Sequence, residues 1–137
     1  MAQVHQRATS KPFAHLKVIL LVANDDAIQR RLADMLSQKA HYHLFVASSA
    51  FAAVKFLRYI TLHLLIVDEC LPDMTGIQLY DCLHPNRELA PLPVIMLCAS
   101  VEDMKGELAA RHLIGLSKAF DLDEFITTIE TIFATTS

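Results

Sequence analysis

Apolar positions along this chain follow two rhythms, and their alternation predicts the fold. Continuous apolar runs stand at Lys17–Ala23 (K-V-I-L-L-V-A), Leu64–Val67 (L-L-I-V) and Leu92–Cys98 (L-P-V-I-M-L-C). Short runs bounded by turn-forming residues read as strands buried on both faces, the kind found in parallel sheets covered by helices. Pro93 falls near the start of its run, where a strand tolerates proline. Tyr42–Ala47 (Y-H-L-F-V-A) and the very short Leu113–Leu116 add two further strands. Between the strands the spacing becomes helical. Ile28, Leu32, Met35 and Leu36 recur at i, i+4, i+7 and i+8 on one face. Ser48 and Ser49 offer N-caps to a helix whose apolar face is Phe51, Val54 and Leu57. Gly76–Leu83 predicts a short helix on Ile77, Tyr80 and Leu83, and Val101–Ala110 one on Met104 and Leu108. Asp121 opens a last helix on Leu122, Phe125, Ile126, Ile129 and Phe133, expected to end near Phe133. His84–Pro91 reads as a loop and residues 1–15 as a flexible polar leader.

Strands alternating with helices through short links imply a doubly wound α/β domain, a (βα)5 three-layer sandwich around a five-stranded parallel sheet. It would occupy residues 16–137. No internal repeat and no low-complexity tract interrupts it. Acids follow the first strand where a nucleotide-binding protein would carry glycines, and a phosphate cradle needs glycine backbone amides. Dinucleotide-binding and P-loop functions are therefore disfavoured.

Composition narrows the class. At 137 residues and 53% hydrophobic, the chain can bury one core and is too apolar for general disorder. A net charge of -3 argues against nucleic acid as a partner. No apolar run reaches the ~18 residues of a membrane span. The amino-terminal stretch has no signal-type hydrophobic region. Its cations Arg7, Lys11 and Lys17, without an acid between them, fit a polar leader better than a transit peptide. The three cysteines, 70, 82 and 98, form no C-x-x-C pair, which fits a reducing cytoplasm. His41 and His43 alternate along an expected strand, yet further metal ligands at suitable spacing are missing.

Chemistry-bearing residues gather at strand ends. Asp25 and Asp26 follow the first strand, Asp68 ends the third, and Lys118 follows the fifth. In open α/β sheets function lies beyond the carboxyl ends of the strands. Any of these acids could instead be a helix cap or turn residue. Two adjacent acids are more than one cap requires. If the strands lie side by side, three carboxylates and an ammonium converge. Mg²⁺ would relieve their repulsion, since it takes one or two carboxylates, keeps waters and suits a phosphoryl group. A lysine adds a point charge for phosphate oxygens, and a carboxylate can attack phosphorus to form an aspartyl phosphate.

With these residues in place the chain resembles the receiver domain of two-component response regulators, of the single-domain chemotaxis-regulator type. The resemblance runs from about Lys17 to Phe133. It is carried by Asp25-Asp26, the D-x-x-x-P-x-x-x-G frame of Asp68, Pro72 and Gly76, the P-V-I-M-L run at 93–97, and Lys118 with Phe120. It implies a flavodoxin-like strand order 2-1-3-4-5. It implies that Asp68 accepts a phosphoryl group from a histidine kinase or phosphotransfer protein. Asp26 and Asp68 would bind Mg²⁺ directly, Asp25 through water, and the Cys70 backbone carbonyl would complete the protein ligands. Lys118 would pair with Asp68 or its phosphoryl group. Such a chain would be a signalling module rather than an ordinary enzyme. With no output domain expected after the last helix, it would signal by protein contact in the cytoplasm, and a homodimer is left open.

Three positions depart from the family. Cys98 stands where Thr or Ser is usual, and a thiol donates weakly. Gly115 stands where Tyr or Phe is common. Lys118-Ala119 replaces Lys-Pro, which predicts either a strained cis bond or a trans bond with a shifted lysine. These losses touch the read-out more than the chemistry. The alternative is a degenerate receiver that acts as a phosphorylation-independent interaction module. Oxidation of Cys70 and Cys98 beside the acidic pocket is a further reading, weaker than that of ordinary small residues. An aspartate-nucleophile hydrolase fits poorly, because the chain lacks a cap insertion and a second acid two residues after Asp68.

Overall fold

The apolar runs become a parallel sheet. The computed structural model describes residues 16–84 and 92–136. Its strands are β1 (Lys17–Val22), β2 (Tyr42–Ala47), β3 (Leu64–Asp68), β4 (Val94–Cys98) and β5 (Ile114–Ser117). They pair in parallel in the order β2-β1-β3-β4-β5. The helices are α1 (Asp26–Ser37), α2 (Ala50–Leu57), α3 (Gly76–Leu83), α4 (Lys105–Arg111) and α5 (Leu122–Thr136). Every residue of β3 and β4 is buried, as central strands of a doubly covered sheet must be.

Strand alternation sorts the core into two layers. Ile19, Leu21, Leu64, Ile66, Ile95 and Leu97 face one side and pack with residues of α1 and α5, among them Leu32, Phe125 and Ile129. Leu20, Val22, Leu65, Val67 and Met96 face the other and pack with Ala50, Ala53, Leu79 and Leu108 of α2, α3 and α4. The register brings the strand ends level: Val22 pairs with Val67, Asp68 with Leu97 and Cys98 with Ser117. The segments carrying Asp25, Asp68, Cys98 and Lys118 thus leave the sheet along one edge.

Several expectations need correction. Helix α2 turns Ala50 and Ala53 inward, while Phe51 is 69% exposed and Val54 and Leu57 are only partly buried. The amides of Ala50 and Phe51 are fixed by a carboxylate from another loop, described below, and that sets the helix phase. Helix α4 starts at Lys105, not Val101. The Met104 and Lys105 amides reach back only three residues, to Val101 and Glu102, so this stretch is a series of tight turns. His112, with φ 57°, ends α4 in the left-handed region and makes Leu113 a connector, so β5 begins at Ile114. Strand β4 starts at Val94 and β1 stops at Val22, while α5 runs on to Thr136. His41 precedes β2 rather than lying in it. The expected leader, and the expected loop from residue 85 to 91, lie outside the described residues.

Candidate functional site

Asp68 is the last residue of β3 and is 3% exposed. A buried carboxylate needs partners. Its Oδ1 accepts from the Cys70 N–H at 3.0 Å and from Lys118 Nζ at 2.9 Å. Among the described residues no donor reaches Oδ2. The loop after Asp68 is folded on itself. Leu71 N–H donates to the Met74 carbonyl at 3.0 Å and Gly76 N–H to the Glu69 carbonyl at 2.9 Å. This arrangement leaves the Cys70 carbonyl without a donor among the described residues. Gly76 lets α3 begin directly against β3. A Cβ there would lie 2.4 Å from the Asp68 backbone oxygen and 2.8 Å from Met96 Sδ.

Lys118 is aimed by the turn after β5. Its N–H donates to the Cys98 carbonyl at 2.9 Å, and Phe120 N–H returns to the Ser117 carbonyl at 3.1 Å. Phe120 is buried and stacks on Phe125. The Arg31 guanidinium lies 4.6 Å from the Phe120 ring centroid and donates to the Phe120 carbonyl, which anchors the turn to α1. No described peptide bond is cis, so Lys118–Ala119 is trans, and the lysine reaches Asp68 in that form. Partial burial pulls the Lys118 ammonium down, but the hydrogen bond and charge of Asp68, with Glu69 behind it, outweigh burial and hold it above its ordinary value.

The acidic pair divides its duties. Asp25 caps α1, its Oδ1 accepting from Ala27 N–H at 2.8 Å and Ile28 N–H at 3.2 Å. Asp26 is exposed, and its carboxylate has no protein partner among the described residues. Among the described residues no three His, Cys, Asp or Glu side chains form a metal cage. Mg²⁺ does not need one, because it is held by one or two carboxylates and waters. Asp26 opens α1 just after β1, Asp68 ends β3 and the Cys70 carbonyl follows it, and all three offer hard oxygen donors of the type that ion takes.

On the other side of Asp68 the departures show their consequences. Cys98 is fully buried, and its thiol turns back to the Met96 carbonyl at 3.4 Å. Burial first, then the nearby charges of Glu69 and Asp68 against that of Lys118, push the thiol up to about 11. A buried, protonated thiol is a poor nucleophile, so Cys98 does not support the redox reading. Cys70 is exposed. At Gly115 the room for a side chain is filled. A Cβ would lie 2.6 Å from Leu108 Cδ1 and 3.1 Å from Val101 Cγ1.

Two residues had no role in the sequence reading. Asp73 accepts from Ala50 N–H at 3.0 Å and Phe51 N–H at 2.9 Å, so the loop after β3 caps α2. Those two amides hold its carboxyl below the usual range. Glu69 Oε2 accepts from Ala99 N–H at 2.8 Å, bridging the ends of β3 and β4. Ser49 caps α2 as expected, by accepting from Ala52 N–H at 3.1 Å.

Known proteins resemble this chain in sequence and fold. Residues 19–130 match the family model described as the response regulator receiver domain. A probable transcriptional regulatory protein, TcrX of Mycobacterium tuberculosis, is 27% identical over 134 residues, covering 96% of this chain and 54% of the relative. The two-component response regulator ORR1 of japonica rice, Oryza sativa, is 25% identical over 96 residues, covering 63% of this chain and 42% of the relative. The chain thus spans only part of the curated relatives it matches, down to 12% of a cyclic-nucleotide phosphodiesterase of Dictyostelium discoideum that is 27% identical over 101 residues. Among solved structures, a CheY-like response regulator receiver domain protein of Methanospirillum hungatei superposes with a TM-score of 0.77 at 25% identity, covering 88% of this chain and 96% of that one. A putative response regulator of Chloroflexus aurantiacus gives a TM-score of 0.78 at 24% identity, covering 87% and 98%.

Proposed function

The chain belongs to the response regulator receiver domain family, and from that premise we propose that Asp68 accepts a phosphoryl group from a histidine kinase or phosphotransfer protein. Receiver domains are signalling modules that interact with such partners. We read residues 16–137 as one such unit, acting in the cytoplasm by contact with a target protein. Among the described residues no helix is long and apolar enough to cross a membrane.

The observation that carries this reading is the ion pair of a carboxylate 3% exposed with an ammonium 2.9 Å away at the end of the central strand. In this reading a carboxylate oxygen of Asp68 attacks phosphorus, and the donor's histidine nitrogen leaves with the electron pair. Lys118, held on Oδ1 in the free chain, is placed to turn to the transferring oxygens and spread their charge. The Cys70 N–H fixes the carboxylate plane meanwhile. Bound at Asp26, Asp68 and the Cys70 carbonyl, with Asp25 reached through water, Mg²⁺ would neutralise charge on the phosphoryl oxygens.

The test is the intact mass after incubation with Mg²⁺ and acetyl phosphate, beside Asp68→Asn. A single phosphoryl adduct in the parent and none in the variant is expected. An unmodified parent, or equal adducts in both, counts against Asp68 as acceptor. The second reading, a phosphorylation-independent interaction module, draws on the filled space at Gly115. It takes precedence if the parent neither gains mass nor binds Mg²⁺.

A further inference from the structure

Strands β3 and β4 run side by side with Asp68 paired to Leu97, and the Glu69 N–H donates to the Leu97 carbonyl at 3.0 Å. Just beyond that pair, Glu69 Oε2 accepts the Ala99 N–H at 2.8 Å. Among the described residues three donors therefore meet the carboxylates at the end of β3: the Cys70 N–H, Lys118 Nζ and the Ala99 N–H. The first two serve Asp68 and the third serves Glu69. The Cys98 thiol adds none, being turned to the Met96 carbonyl.

We infer that Glu69 is a resident anion which occupies the Ala99 amide and competes with a phosphoryl group for it, making Glu69 a positioning residue that restrains loading of Asp68. The inference rests on the reading of Asp68 as acceptor. A phosphoryl group brings further negative charge and three acceptor oxygens to a rim with few donors. One of those donors already satisfies a carboxylate, and a second anion beside it meets like-charge repulsion. The hydrogen bond is exposed, so the carboxylate can swing into water when an incoming group takes its place. The free amide would then bind a phosphoryl oxygen, and the end of β4 would report loading through Ala99 instead of through a hydroxyl at position 98.

Two substitutions separate charge from occupancy. Glu69→Gln keeps a carbonyl acceptor and removes the charge, whereas Glu69→Ala removes both. With the full chain, Mg²⁺ and acetyl phosphate, the initial rate of adduct formation should rise about tenfold in Glu69→Ala and by less in Glu69→Gln, with the gain shrinking at high salt. The glutamine variant matters most, because a purely structural role for Glu69 predicts no gain there. Before any phosphodonor is added, hydrogen exchange at the Ala99 amide should be faster in Glu69→Ala than in the parent. Adducts forming at equal rates in all three proteins, or more slowly in both variants, would overturn the inference alone. No adduct in any of them would overturn the acceptor reading and the inference with it.

Discussion

The two sides of the sheet's carboxyl edge are built on opposite terms. On the acceptor side, at the end of β3, polar side chains meet named donors: Asp68 takes Cys70 N–H and Lys118 Nζ, and Asp73 takes the Ala50 and Phe51 amides. On the other side, named the read-out side after the proposed function, stand Cys98 at the end of β4 and Gly115 inside β5. There the thiol is folded back on its own strand, and Leu108 and Val101 fill the space that a side chain at Gly115 would enter. One side is held by directional hydrogen bonds and the other by packing. Hydrogen bonds preserve a constellation that can receive a group. A close-packed wall has no second arrangement to switch into unless something moves out. The comparison teaches that, under the proposed function, accepting a phosphoryl group and reporting it would rest on different kinds of interaction.

The largest expected effect breaks the acceptor side. In Gly76→Ala the new methyl would sit 2.4 Å from the Asp68 backbone oxygen, an atom that cannot rotate away. Overpacking costs about 3 kcal/mol at the upper end of its usual range. Up to about 1 kcal/mol returns as helix propensity. A net loss of about 2 kcal/mol should appear in urea unfolding, together with slower adduct formation as α3 is pushed off β3. A variant as stable and as reactive as the parent would show that the close approach of α3 is not what holds the acceptor loop.

The second effect sharpens the contrast through pH. Cys98 is an acid whose folded value, about 11, lies above its ordinary 9.0. Its contribution to stability is therefore fully present below pH 9 and is lost as pH rises to about 11. Tyr42, raised by burial and then by Glu130, and Lys118, raised by Asp68 against the opposing effect of burial, act with the same sign at the alkaline end. The urea midpoint should fall between pH 9 and pH 11, and Cys98→Ala should show a smaller fall than the parent. Parallel curves for the two proteins would mean that the thiol ionises as freely as in the unfolded chain. In native protein near pH 8, a thiol reagent should label Cys70 and Cys82, both exposed, well before Cys98.

What could be read from the residues alone follows the same division. The strands are legible because a doubly covered sheet leaves uninterrupted apolar runs, and the placing of Asp68 and Lys118 at strand ends is legible because those runs stop there. The bonds of Glu69 and Asp73 were not, since each carboxylate finds a backbone amide 22 to 30 residues away. Any residue but proline offers such an amide, so no side-chain pattern marks it. The face of α2 was misjudged for the same reason: Phe51 looks like a core residue until the Asp73 cap sets the helix phase. Val101 and Met104 have helical spacing, yet three-residue turns place them before α4 rather than inside it. Cys98 and Gly115 themselves are visible at once. That Leu108 and Val101 stand where a side chain at Gly115 would go is visible only in three dimensions.

The smallest effect tests whether the read-out side is truly filled. Gly115→Tyr would place a ring at this position. The new Cβ would meet Leu108 Cδ1 at 2.6 Å and Val101 Cγ1 at 3.1 Å, both ends of side chains and not backbone. These can yield, at a cost of about 2 kcal/mol for displaced rotamers, and about 1 kcal/mol returns because an aromatic residue suits a strand better than glycine. A net loss of about 1 kcal/mol in urea unfolding is expected. Phosphoryl loading should stay near the parent rate, because no atom within reach of Asp68 changes. The loss should shrink when Leu108→Ala is added, since the smaller residue vacates the space the ring needs, and that non-additivity identifies the shared volume. If the tyrosine variant is as stable as the parent, position 115 is open and the read-out side is no more closed than the acceptor side. If it is less stable and also fails to load, the two sides are coupled through α4, and accepting a group cannot be separated from reporting it.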